Sequence, residues 1–197
     1  VVLAGGASRR MGSDKKLLML NGRSFLEHVL EAACRVGDEV MVAVATEAQA
    51  EVVRRLCDTR VVLDSAPGAG PAMALLSASA HASGECILSM PVDCPLVKPE
   101  LYFMLAGELE HGNACIPEAY GRLQPLHGAY RRSAMAELKE ARSMYQLAEM
   151  LEARVLPESA VRRADPQLES FLNVNTPRDY RRILELCGAS EAGDSES

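Results

Sequence analysis

Five cations crowd into the first 23 residues of this 197-residue chain, Arg9, Arg10, Lys15, Lys16 and Arg23, against Asp14 alone, a local charge of five less one. They follow an apolar run that breaks at two glycines, in the order VVLAGGASRRMGSDKKLL. Paired glycines after a strand let the backbone turn sharply and bring its amides close to a ligand, with no Cβ in the way. A concave run of amides favours an anion, and neighbouring Arg and Lys add full charges. The chain as a whole carries a net charge of −6, which repels long polyanions while leaving a confined basic loop able to attract a small one. The expected ligand is therefore a small phosphorylated molecule and not nucleic acid. Two familiar phosphate loops do not fit. The dinucleotide pattern G-x-G-x-x-G is absent from GGASRRMG, and Gly12 is followed by Ser13 and Asp14 before Lys15, which breaks the P-loop order.

A second set of candidates is acidic. Asp64 closes RVVLD and Asp93 lies between Pro91 and Pro95 in PVDCP, each at the carboxyl end of an apolar strand, where parallel sheets gather ligands. Mg2+ takes one or two carboxylates and fills its remaining positions with water and phosphate oxygens. Asp93, stiffened by its prolines, is the predicted metal ligand. In FLNVNTP, Thr176 suffices to cap the following helix, so Asn173 and Asn175 are surplus to capping and available for contact with a ligand. Gln124 and Tyr130, in QPLHGAY, are weaker candidates of the same kind. Cys34, Cys57, Cys86, Cys94, Cys115 and Cys187 form no C-x-x-C pair and read as buried reduced thiols, and the four histidines lack zinc spacing.

Short β-branched runs alternate with helical patterns and position these residues. Strands are expected at 1–4, 39–46, 60–65 and from 85 into the Asp93 turn. Between them come helices after the capping pairs Ser24/Glu27 and Thr46/Gln49, after Pro71, and from 99 to 110. That rhythm predicts an α/β fold with a mostly parallel sheet. Beyond residue 110 two or three short strands over 113–133, turning near Tyr120 and Gly121, give an antiparallel excursion. Helices near 133–141 and 143–152 precede an irregular loop and a last helix that starts at Thr176 and ends at Gly188. The chain reads as a single domain over 1–188, its rhythm changing beyond residue 110, with a disordered acidic tail over 189–197. With no Trp and 4% aromatic residues it lacks rings on which to stack single-stranded bases. Its apolar runs are too short to cross a membrane and no leader pattern is present, so a cytoplasmic protein is expected, its first strand lacking a few residues ahead of Val1.

With these residues assembled, the chain resembles the molybdenum cofactor guanylyltransferases, the MobA family, within the MobA-like NTP transferases. LAGGASRRMGSDKKLL is similar to the class signature L-A-G-G-x-S-x-R-M-G-x-D-K-x-L-L. LDSAPGAGPAMALLSA, PVDCPLV, QPLHGAY and NVNTPRDY resemble further blocks, and the likeness runs from residue 1 to about 181. It implies a three-layer α/β/α Rossmann-like fold, with a nucleotide-binding half (1–110) and an acceptor-binding half (111–188), and a Mg2+-dependent nucleotidyltransferase that moves GMP from GTP to molybdopterin and releases pyrophosphate. It also implies backbone contacts to the nucleotide from Leu3, Ala4 and Gly5, with Gly6, Arg9 and Arg10 completing the phosphate loop. Lys15 would hold phosphates, Asp64 would touch the nucleoside, and Asp93 would bind nucleotide and Mg2+. Lys15, Arg10 and Asp93 are then the catalytic set, while Asn173, Asn175 and Gln124 would face the acceptor. Transient contact with molybdoenzymes or cofactor-handling proteins follows from the same likeness. Ala43 stands where bacterial members often carry an Asn that helps read guanine, which leaves a cytidylyltransferase, another transferase of the class, or a nucleotide-binding sensor or chaperone as alternatives.

Overall fold

A computed structural model describes residues 1–6 and 15–188. The first half alternates strand and helix: β1 (Val2–Leu3), a hairpin of β2 (Met19–Leu20) and β3 (Arg23–Ser24), then α1 (Phe25–Val36), β4 (Met41–Val44), α2 (Glu47–Leu56), β5 (Arg60–Leu63) and α3 (Pro71–Ser79). One continuous segment then supplies β6 (Cys86–Leu88) and β7 (Met90–Pro91) before α4 (Pro99–Glu108). The second half holds β8 (Ala114–Ala119), β9 (Arg122–Leu123), β10 (Ala129–Arg131), α5 (Arg132–Ala136), α6 (Met144–Met150), β11 (Arg154–Leu156), α7 (Glu158–Ala164) and α8 (Pro177–Leu186).

Four strands pair in parallel in the order β5-β4-β1-β7. A mixed sheet runs β11-β8-β10-β6, with β9 folded back on β8. The two sheets meet at Ser89: Cys86 to Leu88 pair antiparallel with β10, and two residues later Met90 and Pro91 pair parallel with β1. The Ser89 amide donates to the Gly128 carbonyl and the Met90 amide to the Val1 carbonyl, so the ladder crosses the seam without a break. This is the α/β architecture expected, antiparallel excursion included.

Strand alternation divides the core into two layers. Val2, Val42 and Val44 pack with Leu26 and Val29 of α1 and Leu101 and Leu105 of α4. Leu3, Met41, Ala43 and Val62 face the opposite way, against Leu75 of α3 and Leu147 of α6. A third cluster joins Leu20 and Phe25 to Val174, Ile183 and Leu184, which docks α8 on the β2–β3 hairpin. The helix starts are those the sequence spells out. Ser24 and Glu27 form a reciprocal capping box on α1, Thr46 accepts from the Gln49 amide, and Thr176 and Asp179 box the start of α8.

Several expectations need correction. The β2–β3 hairpin turns on Asn21 and Gly22, both at positive φ (49° and 77°), in a stretch assigned no strand from sequence. The supposed loop between α6 and the Asn-rich motif contains β11 and α7. The helix expected near 133–141 is the five-residue α5. Of the six cysteines, all free, only Cys94 and Cys115 are buried, while Cys34 and Cys86 are exposed. The acidic tail expected over 189–197 lies outside the described residues. Among those residues no helix is long and apolar enough to cross a membrane.

Candidate functional site

A cavity of about 520 Å3 opens at the carboxyl edge of the parallel sheet. Its floor is the end of β1 and the turn after it, Leu3, Ala4, Gly5 and Gly6. Ala45, Thr46 and Gln49 wall it after β4, and Asp64 does so after β5. Pro91, Val92 and Asp93 close it after β7, with Lys15 beside them. Parallel strands end together on one side, which is why residues ninety apart in sequence converge here. Gly5 is favoured by packing: a Cβ there would lie 3.0 Å from the Ala45 amide nitrogen, a tight contact with backbone. A Cβ on Gly6 would meet nothing within 4 Å, so this position borders open space. Gly70 reaches a φ of 100°, and the start of α3 that follows, with Pro71 in its first turn and no side-chain cap, also lines the cavity. An uncapped helix start carries partial positive charge.

Asp64 is 8% exposed, and its Oδ1 accepts from the Ala66 amide at 2.9 Å and the Ser77 hydroxyl at 3.3 Å. One carboxylate oxygen is thus fixed by the protein while the side chain borders the cavity. Across from it, Lys15 donates to Asp93 Oδ2 at 3.1 Å and to Asn175 Oδ1 at 2.5 Å. The Asp93 backbone is held in turn, since its carbonyl accepts from the Val174 amide at 2.9 Å. On Asp93 Oδ1 the neighbour is the Cys94 thiol at 3.9 Å, a weak donor that leaves this oxygen able to take a stronger partner. The described residues hold no group of three His, Cys, Asp or Glu side chains able to cage a metal ion. A single carboxylate is nevertheless what Mg2+ uses when phosphates supply its other oxygens.

The structure therefore brings Leu3, Ala4, Gly5, Gly6, Lys15, Asp64 and Asp93 around one cavity, with Asn175 joined through Lys15. Arg9 and Arg10 lie outside the described residues. Asn173 is exposed and borders a different cavity of about 460 Å3, with Tyr120, Phe171 and Arg182. Gln124 donates its side-chain amide to the Ala119 carbonyl across the β8–β9 hairpin and does not line the main cavity. Tyr130 is fully buried, its hydroxyl bonded to the Pro125 carbonyl. Ala43 is 1% exposed within the layer facing α3 and α6, and the cavity wall after β4 belongs to Ala45, Thr46 and Gln49. Gln49 was read from sequence only as part of a helix cap. It does hold that turn, accepting from the Ala45 amide at 2.9 Å, and nothing in the spacing marks it as a cavity residue as well.

The profile of the MobA-like NTP transferase domain matches residues 1–187. A protein of Methanothermobacter thermautotrophicus named probable molybdenum cofactor guanylyltransferase is 33% identical over 91% of this chain and 95% of its own. Among solved structures, molybdopterin-guanine dinucleotide biosynthesis protein A of Archaeoglobus fulgidus superposes with a TM-score of 0.83 at 31% identity, covering 95% of this chain and 97% of that one. A 2-C-methyl-D-erythritol 4-phosphate cytidylyltransferase of Thermus thermophilus shares the fold with a TM-score of 0.65 at 21% identity, over 96% and 98% of the two chains.

Proposed function

This chain belongs to the MobA-like NTP transferase domain family, and we propose that it transfers GMP from GTP to the terminal phosphate of molybdopterin, releasing pyrophosphate. The names carried by the relatives at 31–33% identity over nearly the whole chain support that substrate pair. The observation that carries the reading is the single cavity bordered by the Gly5–Gly6 turn, the Lys15 ammonium and the carboxylates of Asp64 and Asp93. One wall is cationic and donor-rich, as a triphosphate requires, and the other offers acceptors suited to a nucleoside.

A phosphate monoester has a second pKa of about 6, so at neutral pH the acceptor is already largely a dianion and needs no base to activate it. The difficulty is repulsion between two anions. Catalysis then rests on alignment and on charge placed before the reaction starts. Lys15 and the amides at Gly5 and Gly6 draw charge from the departing pyrophosphate, with Arg9 and Arg10 as further cations of the same loop. Asp93 would hold a Mg2+ ion, which would supply charge neutralisation on the phosphate oxygens. Asp64, with one oxygen fixed, presents the remainder of its carboxylate to the nucleoside.

The test is pyrophosphate release by purified protein with Mg2+, molybdopterin and each of the four nucleoside triphosphates in turn. Release with GTP well above the other three is expected. Preference for CTP would move the assignment to cytidylyl transfer. Nucleotide binding with no release under any pairing would leave a sensor in place of an enzyme.

A further inference from the structure

We infer that Asn175 is a positioning residue for Lys15, so that affinity for the nucleotide phosphates depends on Asn175 before any acceptor binds. This rests on reading the main cavity as the triphosphate site. The observation is a chain of contacts linking residues 160 positions apart: the Lys15 ammonium meets Asn175 Oδ1 at 2.5 Å and Asp93 Oδ2 at 3.1 Å. An ammonium only donates, so it is the amide oxygen of Asn175, and not its NH2, that faces Lys15. The loop carrying that oxygen is fastened at two points. The Val174 amide donates to the Asp93 carbonyl, and the Asn175 and Thr176 amides both donate to Asp179 Oδ2, at 3.0 and 2.8 Å, within the first turn of α8.

The chemistry explains why an amide stands here. A lysine stem is long and flexible, and its point charge must be held in place to act on a phosphate. Asp93 holds it with a counter-charge, and the neutral oxygen of Asn175 orients the ammonium without adding a second one. Asn173, two residues earlier, borders a separate cavity, so the two asparagines of NVNTP serve different ends. Asn175 acts through Lys15, and its contribution is to nucleotide binding.

The experiment is titration of Mg2+-GTP in the absence of acceptor, by calorimetry, into the full chain and into Asn175→Ala, Lys15→Ala and the double variant, with far-UV circular dichroism as the check on folding. Weakening on the order of tenfold is expected for Asn175→Ala, in the range measured for directly contacting pairs, with no further loss when it is added to Lys15→Ala. If Asn175→Ala does not fold, Asn175→Ser, whose shorter side chain does not span the distance to Lys15, is judged by the same criteria. Unchanged affinity overturns the inference and makes Asn175 an acceptor contact. Tighter binding overturns it by making the contact an inhibitory latch, and equal weakening in both Lys15 backgrounds overturns it by showing an independent route. Absence of binding by the unmodified protein counts against the triphosphate site itself.

Discussion

At the scale of single residues, Lys15 and Asp93 sit 3.1 Å apart, each partly screened from water at 19% and 23% exposure. Each is expected to act on charge that develops during the reaction, and neither holds a core together. Lys15→Ala and Asp93→Ala should therefore give circular dichroism spectra like those of the unmodified protein while turnover falls about 10²- to 10³-fold, as loss of one preorganised charge commonly does. Pyrophosphate release at saturating substrate is the measurement, and full activity in either variant would remove that residue from the mechanism. These two were legible in sequence because each stands beside a strong local signal, glycines after a strand in one case and a proline-flanked strand end in the other. The Lys15–Asn175 contact was not legible, since nothing local marks a pair that only the folding of α8 onto the β2–β3 hairpin brings together. Strand residues alternate faces, and Ala43 points with Leu3 and Met41 into a helix-covered layer, while Ala45, two residues on, lines the cavity.

At the scale of elements, the start of α8 is where stability and the site share residues. Thr176 accepts from the Asp179 amide, and Asp179 accepts from the amides of Thr176 and Asn175. Thr176→Ala should lower stability by about 1 kcal/mol, a usual size for a lost N-cap. In urea this appears as a lower midpoint with an unchanged slope. A midpoint that does not move would mean that docking on Leu20 and Phe25, and not the cap, holds the helix. The cap was readable because Thr176 directly ahead of Pro177, a proline in the first helical position, is a strong and local pattern. The β2–β3 hairpin carried its own mark in Asn21-Gly22, but its strands are two residues long and show no alternation. The elements β11 and α7 escaped because Arg154 and Val155 are exposed and α7 spans seven residues with two arginines in its last turn, a composition that reads as loop. Tertiary pairing with β8, and not propensity, makes β11 a strand.

At the scale of the whole molecule, His127 reports on how the halves are joined. It is fully enclosed, its Nδ1 hydrogen-bonded with the Tyr102 hydroxyl of α4 at 2.8 Å and its ring edge-on to Phe171 at 5.0 Å. Burial pushes its pKa from the ordinary 6.5 down to about 3. The folded protein thus keeps this imidazole neutral where the unfolded chain would protonate it. Its contribution to stability is fully present above pH 6.5 and is lost as pH falls from there toward 3. The thermal midpoint should drop over that interval, and His127→Gln, which keeps a hydrogen-bonding partner for Tyr102, should flatten the dependence. Equal slopes in the two proteins would show that carboxylates alone set the acid limit. The seam at Ser89 carries a consequence for how substrates get in. A clamshell that swung the two halves apart would have to tear the spine they share, because one uninterrupted stretch of chain is a rung of both ladders. Admission and exit therefore have to leave this shared stretch of paired chain in place.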